Sequence, residues 1–146
     1  MELLSPAGSF EALRAAVLNG ADAVYFSGGA FNARVNATNF TNDEIVSAID
    51  YCHSRNSKAY ITLNTLIYNS EINSCMDYAL FLYKMGADAF IVQDLGLLFL
   101  LKKHFPEIEL HASTQMGISS LHGVKLCESL GLSQVVLSRE LSLKDI

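Results

Sequence analysis

Short apolar runs alternate with segments of helical spacing along the whole chain. The runs are rich in β-branched and aromatic residues, as strands buried on both faces are. Continuous apolar strands separated by helices are typical of a parallel sheet covered by helices. The pattern therefore predicts an α/β fold. Its six parallel strands are expected at 2–4, 23–26, 59–63, 89–92, 108–112 and 135–137.

The first two predicted helices have clear start and stop signals. Ser9 is expected to cap a helix that runs to Asn19 and stops at Gly20, where a left-handed residue can end a helix. Thr41 and Glu44 have the spacing of a capping box, so a second helix should begin there. Four apolar residues behind that box share one helical face: Ile45, Ala48, Ile49 and Cys52.

Three further helices are predicted in the second half of the chain. One should stop at Gly86 and present four residues on one face: Met76, Ala79, Leu80 and Tyr83. Another should run over 95–104, with Asp94 as its N-cap, and end before Pro106. The last is expected over 121–130, ahead of Gly131.

A weak internal repeat supports this assignment of elements. Positions 19–26 and 85–92 both read as a helix end, then Gly-Ala-Asp-Ala, then an apolar strand. A looser third copy covers 129–137. Each copy predicts the same succession of helix end, glycine cap and buried strand. The repeat therefore favours a fold built by adding similar strand–helix units.

The strand spacing distinguishes a barrel from a doubly wound sheet. No GxGxxG motif follows the first strand, so a dinucleotide-binding sheet lacks its fingerprint. Strand starts lie about 26 residues apart, and eight such units need roughly 210 residues, which is within the range of (β/α)₈ barrels. The 146 residues hold about six units. We therefore expect residues 1–146 to form a single N-terminal segment of an incomplete, TIM-barrel-like (β/α) fold, with the remaining barrel outside it.

Composition excludes several classes of protein. Hydrophobic residues make up 51% and charged residues 17%, so the chain is not disordered. Ten basic against fifteen acidic residues give a net charge of −5, which disfavours tight non-specific binding to nucleic acid. The longest apolar run, 95–101, is far shorter than the about 20 residues of a membrane span. With no signal peptide and three cysteines without a CxxC motif, we expect a cytoplasmic, membrane-free protein with reduced thiols.

Candidate chemistry gathers where the strands end, as active sites of (β/α) barrels do. His111 follows the fifth strand and is either a general base or a histidine satisfied within the core. Arg139 and Glu140 follow the sixth strand and either bind and polarise a substrate or form a structural salt bridge. Four further residues are candidates for substrate binding: Arg34, Asn64, Gln93 and Gln115.

Two common kinds of catalytic site are not indicated by the sequence. No GxSxG elbow exists, so an α/β-hydrolase nucleophile is not indicated. His111 has no second ligand at metal-binding spacing, so no metal site is predicted.

Among the substrate-binding candidates, Arg34 suits an anionic substrate, while Asn64 and Gln93 either orient a substrate or satisfy buried backbone groups.

Six segments together resemble the N-terminal part of the peptidase U-32, or collagenase-like protease, family. They are ELLSPAGS at 2–9, NGADAVY at 19–25, TLNT at 62–65, IVQD at 91–94, HASTQ at 111–115 and LSRELS at 137–142. They occur in order over the whole chain. The segments at 62–65 and 111–115 resemble most the branch that hydroxylates large-subunit ribosomal RNA.

The resemblance implies two kinds of activity. Family members are named as proteases of unassigned catalytic type, whereas others are implicated in oxygen-independent hydroxylation of RNA bases or of a quinone precursor. The hydroxylating members carry an iron–sulfur cluster on four cysteines that follow the Arg139–Glu140 motif. Cys52, Cys75 and Cys127 do not match those positions, so we expect no cofactor in this segment and a cluster only in a full-length protein.

Three functions therefore remain open at the level of sequence. They are a collagenase-like protease acting on peptides, an enzyme that hydroxylates rRNA or tRNA bases, and a non-catalytic fragment or scaffold. The first and sixth strands would be the edges of an incomplete barrel. Because unpaired edges invite strand pairing, we expect self-association through them.

Overall fold

The computed structural model describes residues 1–33 and 39–146. Six strands form one parallel sheet in the order of the chain, with helices on its outer side, so the predicted incomplete barrel of about six parallel units is confirmed. The strands are β1 Leu4–Pro6, β2 Ala23–Phe26, β3 Lys58–Leu63, β4 Ala89–Val92, β5 Glu109–Ala112 and β6 Gln134–Val135. The helices are α1 Phe10–Leu18, α2 Asn42–His53, α3 Ile72–Lys84, α4 Leu95–His104 and α5 Leu121–Ser129, with a 3₁₀ turn at Thr114–Met116.

The first and last strands differ from their predicted positions. β1 lies two residues further along the chain than expected, because Leu4 rather than Glu2 pairs with Ala23. Pro6 is tolerated in it because β1 is an edge strand, where no partner needs the missing N–H. β6 has two residues in the ladder, although the N–H of Val136 still donates to the Ala112 carbonyl at 2.9 Å.

The predicted N-caps are confirmed. Ser9 Oγ accepts from the N–H of Ala12, and Asp94 Oδ1 accepts from that of Leu97 at 2.8 Å. Thr41 and Glu44 form the reciprocal capping box at the start of α2. Each cap satisfies backbone donors that the first turn of a helix leaves unpaired, which fixes where the helix begins.

The main core lies between the outer face of the sheet and the helices. The predicted face of α2 is fully buried there: Ile45, Ala48, Ile49 and Cys52. The predicted face of α3 is partly wrong, since Leu80 is 39% exposed. Cys75, Ala79 and Leu82 are buried instead, at the i, i+4, i+7 spacing that Leu80 does not fit.

The sequence repeat has a structural counterpart at the start of the strands. Gly20, Gly86 and Gly131 all adopt positive φ angles of 78° to 91° after a helix. Asp22 Oδ2 then accepts from the N–H of Leu3, and Asp88 Oδ2 from that of Ala59, both at 2.7 Å. In each case the aspartate that precedes one strand is bonded to the start of the strand before it. The shared position of the aspartate in these two copies therefore aligns β1 with β2 and β3 with β4.

Within the described ranges, no helix combines the length and the apolar character needed to cross a bilayer.

β1 and β6 do not pair with each other in this part of the chain, so both are open edges of the sheet. Self-association through those edges remains a prediction.

Candidate functional site

A cavity of about 520 Å³ lies at the carboxyl ends of the strands. This is the end of the sheet at which the sequence places candidate chemistry. Strand-end residues from β1, β2, β3, β5 and β6 contribute to its wall. The polar side chains that line it are Tyr25, Ser27, Asn39, Thr62, Asn64, Ser113, Thr114, Gln115 and Arg139.

Hydrogen bonds connect the strand ends around this cavity. Ser27 and Thr62 share a hydrogen bond between their hydroxyls at 2.6 Å, which joins β2 to β3. Asn64 Nδ2 donates to Ser113 Oγ at 3.2 Å, which joins β3 to β5. Ser113 Oγ also accepts from the N–H of Gln115. The wall is therefore a linked set of side chains held by one another.

Asn64 has a second contact that fixes its orientation. Its Oδ1 accepts from the backbone N–H of Ala33 at 3.0 Å, while its Nδ2 donates to Ser113. Both ends of the amide are therefore bonded within the protein. This corresponds to the expectation that Asn64 satisfies backbone groups, and its predicted role in binding substrate stays a prediction.

Arg139 is exposed at the mouth of the cavity. No ion pair joins its side chain to any other residue within 1–33 or 39–146. Glu140 does not line the cavity, and its carboxylate accepts from the Ser138 hydroxyl. That hydrogen bond lowers the pKa of Glu140 from its ordinary value. Of these two neighbouring residues, only Arg139 therefore lines the cavity.

Two other predicted residues lie elsewhere. Gln93 lines a different groove, of about 440 Å³, which is bordered mainly by apolar residues, among them Leu95 of α4 and Leu126 of α5. Gln115 borders both this groove and the cavity. Arg34 lies outside the described residues. Of the four predicted substrate-binding residues, Asn64 and Gln115 therefore line the cavity, together with Arg139.

His111 lies inside the barrel and does not line the cavity. Its side chain is buried, and its Nε2 lies 3.3 Å from Glu109 Oε2. The ring meets Tyr60 edge-on at 4.7 Å between centroids. Burial lowers the pKa of His111, although Glu109 acts in the opposite direction. Its catalytic role remains a prediction, and its contacts are those of a core histidine.

Some cavity residues were not among the sequence candidates. Tyr25, Ser27 and Thr62 lie within or at the end of strands that read as uniformly apolar, so their chemistry was not noticed. The available signal was the two-residue alternation of strand faces. Counting back by two from Asn64 gives Thr62, and counting back by two from Ser27 gives Tyr25.

The described residues do not fit an iron–sulfur cluster. Cys52, Cys75 and Cys127 lie on three different helices and are all buried. Burial raises the pKa of Cys52 to about 11 and that of Cys75 to about 12, so neither thiol is poised to bind metal as a thiolate. Within the described ranges, no three potential ligands come together around a metal position.

The family can be decided from a sequence comparison. A model of peptidase family U32 matches residues 8–146. The chain belongs to peptidase family U32. The resemblance of its six segments is thereby confirmed.

Curated relatives in this family have two kinds of name. The chain is 43% identical to the 23S rRNA 5-hydroxycytidine C2501 synthase of Escherichia coli, over the whole chain and 22% of that protein. It is 37% identical to the tRNA hydroxylation protein P of the same organism, over 99% of the chain and 32% of the relative. It is 33% identical to a collagenase of Porphyromonas gingivalis, over 99% and 34% respectively. The chain thus spans between about a fifth and a third of these relatives.

Solved structures agree on the fold. The U32 peptidase Mk0906 matches with a TM-score of 0.76 and 14% identity, over 94% of this chain and 58% of that one. Phosphonopyruvate hydrolase matches with a TM-score of 0.61 and 13% identity, over 94% and 54%. At such low identities these similarities concern the barrel fold alone.

Proposed function

We propose that this U32 chain forms the base-binding part of an enzyme that hydroxylates rRNA or tRNA. The observation that carries the proposal is the cavity at the carboxyl ends of the strands. It combines hydroxyl and amide side chains in its wall with Arg139 at its mouth, and the described residues provide no ion-pair partner for that arginine. The names of the RNA-hydroxylating relatives agree with this chemistry.

The lining of the cavity suits a nucleotide. Hydroxyls and amides both donate and accept, so they can satisfy the edge of a pyrimidine ring. Tyr25 adds an aromatic surface of the kind on which unstacked bases are held. Arg139 has no ion-pair partner among the described residues, so its guanidinium is available to a phosphate oxygen. A base removed from its stack with its phosphate outside would use both features.

A peptidase is the other candidate, because some relatives carry that name. The described residues do not supply the usual nucleophile. Ser113 Oγ accepts from Asn64 and from the N–H of Gln115, while His111 Nε2 faces Glu109. A serine without an adjacent base is a weak nucleophile. The described residues therefore favour nucleotide binding.

The iron–sulfur cluster associated with the hydroxylating members is proposed to be bound outside residues 1–146. The buried thiols of this chain are unsuited to it. Such a cluster would supply redox chemistry, while residues of this chain bind and orient the base. A full-length protein that keeps its hydroxylation activity without iron or sulfide would contradict this.

Binding can be tested on the chain itself. A fluorescent pyrimidine-rich single-stranded RNA is titrated with wild type, Arg139→Gln and Arg55→Gln. Arg55 is exposed and stacks on Tyr51, away from the cavity. Loss of one charge-assisted phosphate contact should weaken binding about tenfold in Arg139→Gln. The Arg55→Gln variant should bind as wild type does, and equal losses in both variants would refute a specific contact.

Activity requires a second experiment in cells. Strains with and without the gene are compared by mass spectrometry of rRNA and tRNA nucleosides. Loss of one hydroxylated pyrimidine, restored by wild type but not by Arg139→Gln, is expected. Unchanged RNA, together with gelatin cleavage that Arg139→Gln abolishes, would instead support the peptidase.

A further inference from the structure

Five polar side chains meet at the amino-terminal ends of the odd strands, where two of them are buried inside the barrel and three are exposed. We call them the polar layer: Glu2, Lys58, Tyr60, Glu109 and His111. Tyr60 donates its hydroxyl to Glu2 Oε2 at 2.7 Å. Lys58 Nζ lies 4.0 Å from Glu2 and 3.8 Å from Glu109, between the two carboxylates. This layer lies on the opposite side of the barrel interior from the cavity.

His111 and Tyr60 are the two buried members of the layer. Only 1% of His111 is exposed, whereas the Glu109 side chain is 47% exposed. The carboxylate of Glu109 can only accept, so Nε2 of the neutral imidazole carries the proton and donates to it. Nδ1 is then an acceptor, and it is buried without a hydrogen-bond partner in the described structure.

Protonation of this imidazole would have two unfavourable consequences. Nδ1 would become a buried N–H donor with no acceptor, which costs the desolvation energy of that group. A positive charge would also appear in a dry part of the barrel, with Lys58 nearby. Glu109 and Glu2 attract that charge, but both are also engaged by Lys58.

We propose that the polar layer is a proton-sensitive device, in which uptake of a proton by His111 loosens β5 and disturbs the cavity. The connection runs along one strand face. Ser113 lies two residues after His111, so both point into the barrel. Ser113 holds Asn64 and the N–H of Gln115 in the cavity wall. The inference does not depend on what the cavity binds.

The direction of the pH effect follows from the burial of His111. Burial outweighs the attraction of Glu109 and Glu2, so the pKa of the folded-state ring lies below its ordinary value of 6.5. The contribution of neutral His111 to stability is therefore complete above pH 6.5 and declines as the pH falls from there to the folded-state pKa. Over that interval, the ratio of folded to unfolded protein falls by up to about tenfold per pH unit.

Urea unfolding at pH 7.5 and 5.5 tests the proposal, with circular dichroism as the signal. Wild type is compared with His111→Gln, which keeps a donor for Glu109 but does not titrate. His122→Gln is the matched control, because His122 is exposed on α5. Wild type and His122→Gln should lose more stability at the lower pH than His111→Gln does. An equal loss in all three proteins would overturn the proposal.

An NMR titration of the wild type covers the case in which His111→Gln fails to fold. The ring signals of His111 should still report a largely neutral imidazole just below pH 6.5, because burial lowers the pKa of the ring. When His111 does titrate, the amide signals of Asn64 and Ser113 should change in the same range. A His111 ring that is mostly charged at pH 6.5, or cavity amides that do not respond, would refute the proposal.

Discussion

The close approach of Gly28 to Tyr78 gives a sharp test of packing beside the site. A Cβ atom on Gly28 would lie 1.9 Å from Tyr78 Oη and 2.8 Å from Ile45 Cδ1. Real Cβ atoms do not approach other atoms so closely, so Gly28→Ala requires the side chains of Tyr78 and Ile45, or the strand-end loop, to move. The φ of Gly28 is not positive, so the effect is steric and not a backbone strain.

The loss of stability expected for Gly28→Ala can be bounded from two known effects. Overpacking a core costs about 1–3 kcal/mol, while replacing glycine restricts the unfolded chain and returns about 0.4–1 kcal/mol. A net loss of about 1–2 kcal/mol is therefore expected for Gly28→Ala. Gly29→Ala is the matched control, since a Cβ there meets nothing within 4 Å. That variant should be neutral or slightly more stable.

A second variant identifies the clashing atom. Tyr78 Oη is buried and has no hydrogen-bond partner in the described structure, so Tyr78→Phe should cost little. Combined with Gly28→Ala, it removes the 1.9 Å contact but leaves those with Tyr78 Cζ at 3.1 Å and with Ile45. Partial recovery is expected in urea unfolding followed by circular dichroism. If Gly28→Ala is as stable as Gly29→Ala, the packing described here is incorrect.

Three further predictions concern stability and reactivity. Thr41→Ala removes the capping box of α2 and should lower the free energy of unfolding, measured by urea titration, by about 1 kcal/mol. Ser47→Ala, at an exposed position of the same helix, is the control, and a smaller loss of stability in Thr41→Ala than in this control would contradict the cap. Cys52 and Cys75 should resist a thiol reagent at pH 8 in the folded protein and react once it is unfolded in urea, because burial raises their pKa values to about 11 and about 12. Rapid labelling of the native state would refute their burial. Asp88→Ala should lower the free energy of unfolding by about 1–3 kcal/mol, since it leaves the N–H of Ala59 and the ring of His53 without their acceptor. An equal loss of stability in Asp43→Ala, which changes an exposed aspartate, would contradict this role of Asp88.

Local signals in the sequence were sufficient for most of the fold. Caps such as Ser9 and Asp94 act on backbone groups within the same turn, so their partners are fixed by sequence spacing alone. The face of α2 was equally predictable from its periodicity. Leu80 was misplaced because hydrophobicity alone does not say which apolar residues of a helix reach the sheet.

Long-range contacts account for what was missed in the candidate site. His111 is drawn away from the cavity by Glu109 and Tyr60, and the position of Tyr60 depends on strand register that the sequence does not state. Arg139 was identified because a charged residue directly after an apolar strand is conspicuous. Thr62 was overlooked because a lone hydroxyl within an apolar run resembles an ordinary strand residue.

The aspartates of the repeat have a consequence for how this sheet can be altered. Asp22 joins the start of β2 to β1, and Asp88 joins the start of β4 to β3. The aspartate bonds thus join β1 to β2 and β3 to β4, and each bond lies within one continuous stretch of sequence. A cut between pairs, after Phe26 or after Val92, leaves every such bond intact, whereas a cut inside a pair breaks one. In an exchange between relatives, a junction at either of these two points would therefore keep each aspartate with the backbone N–H that it accepts.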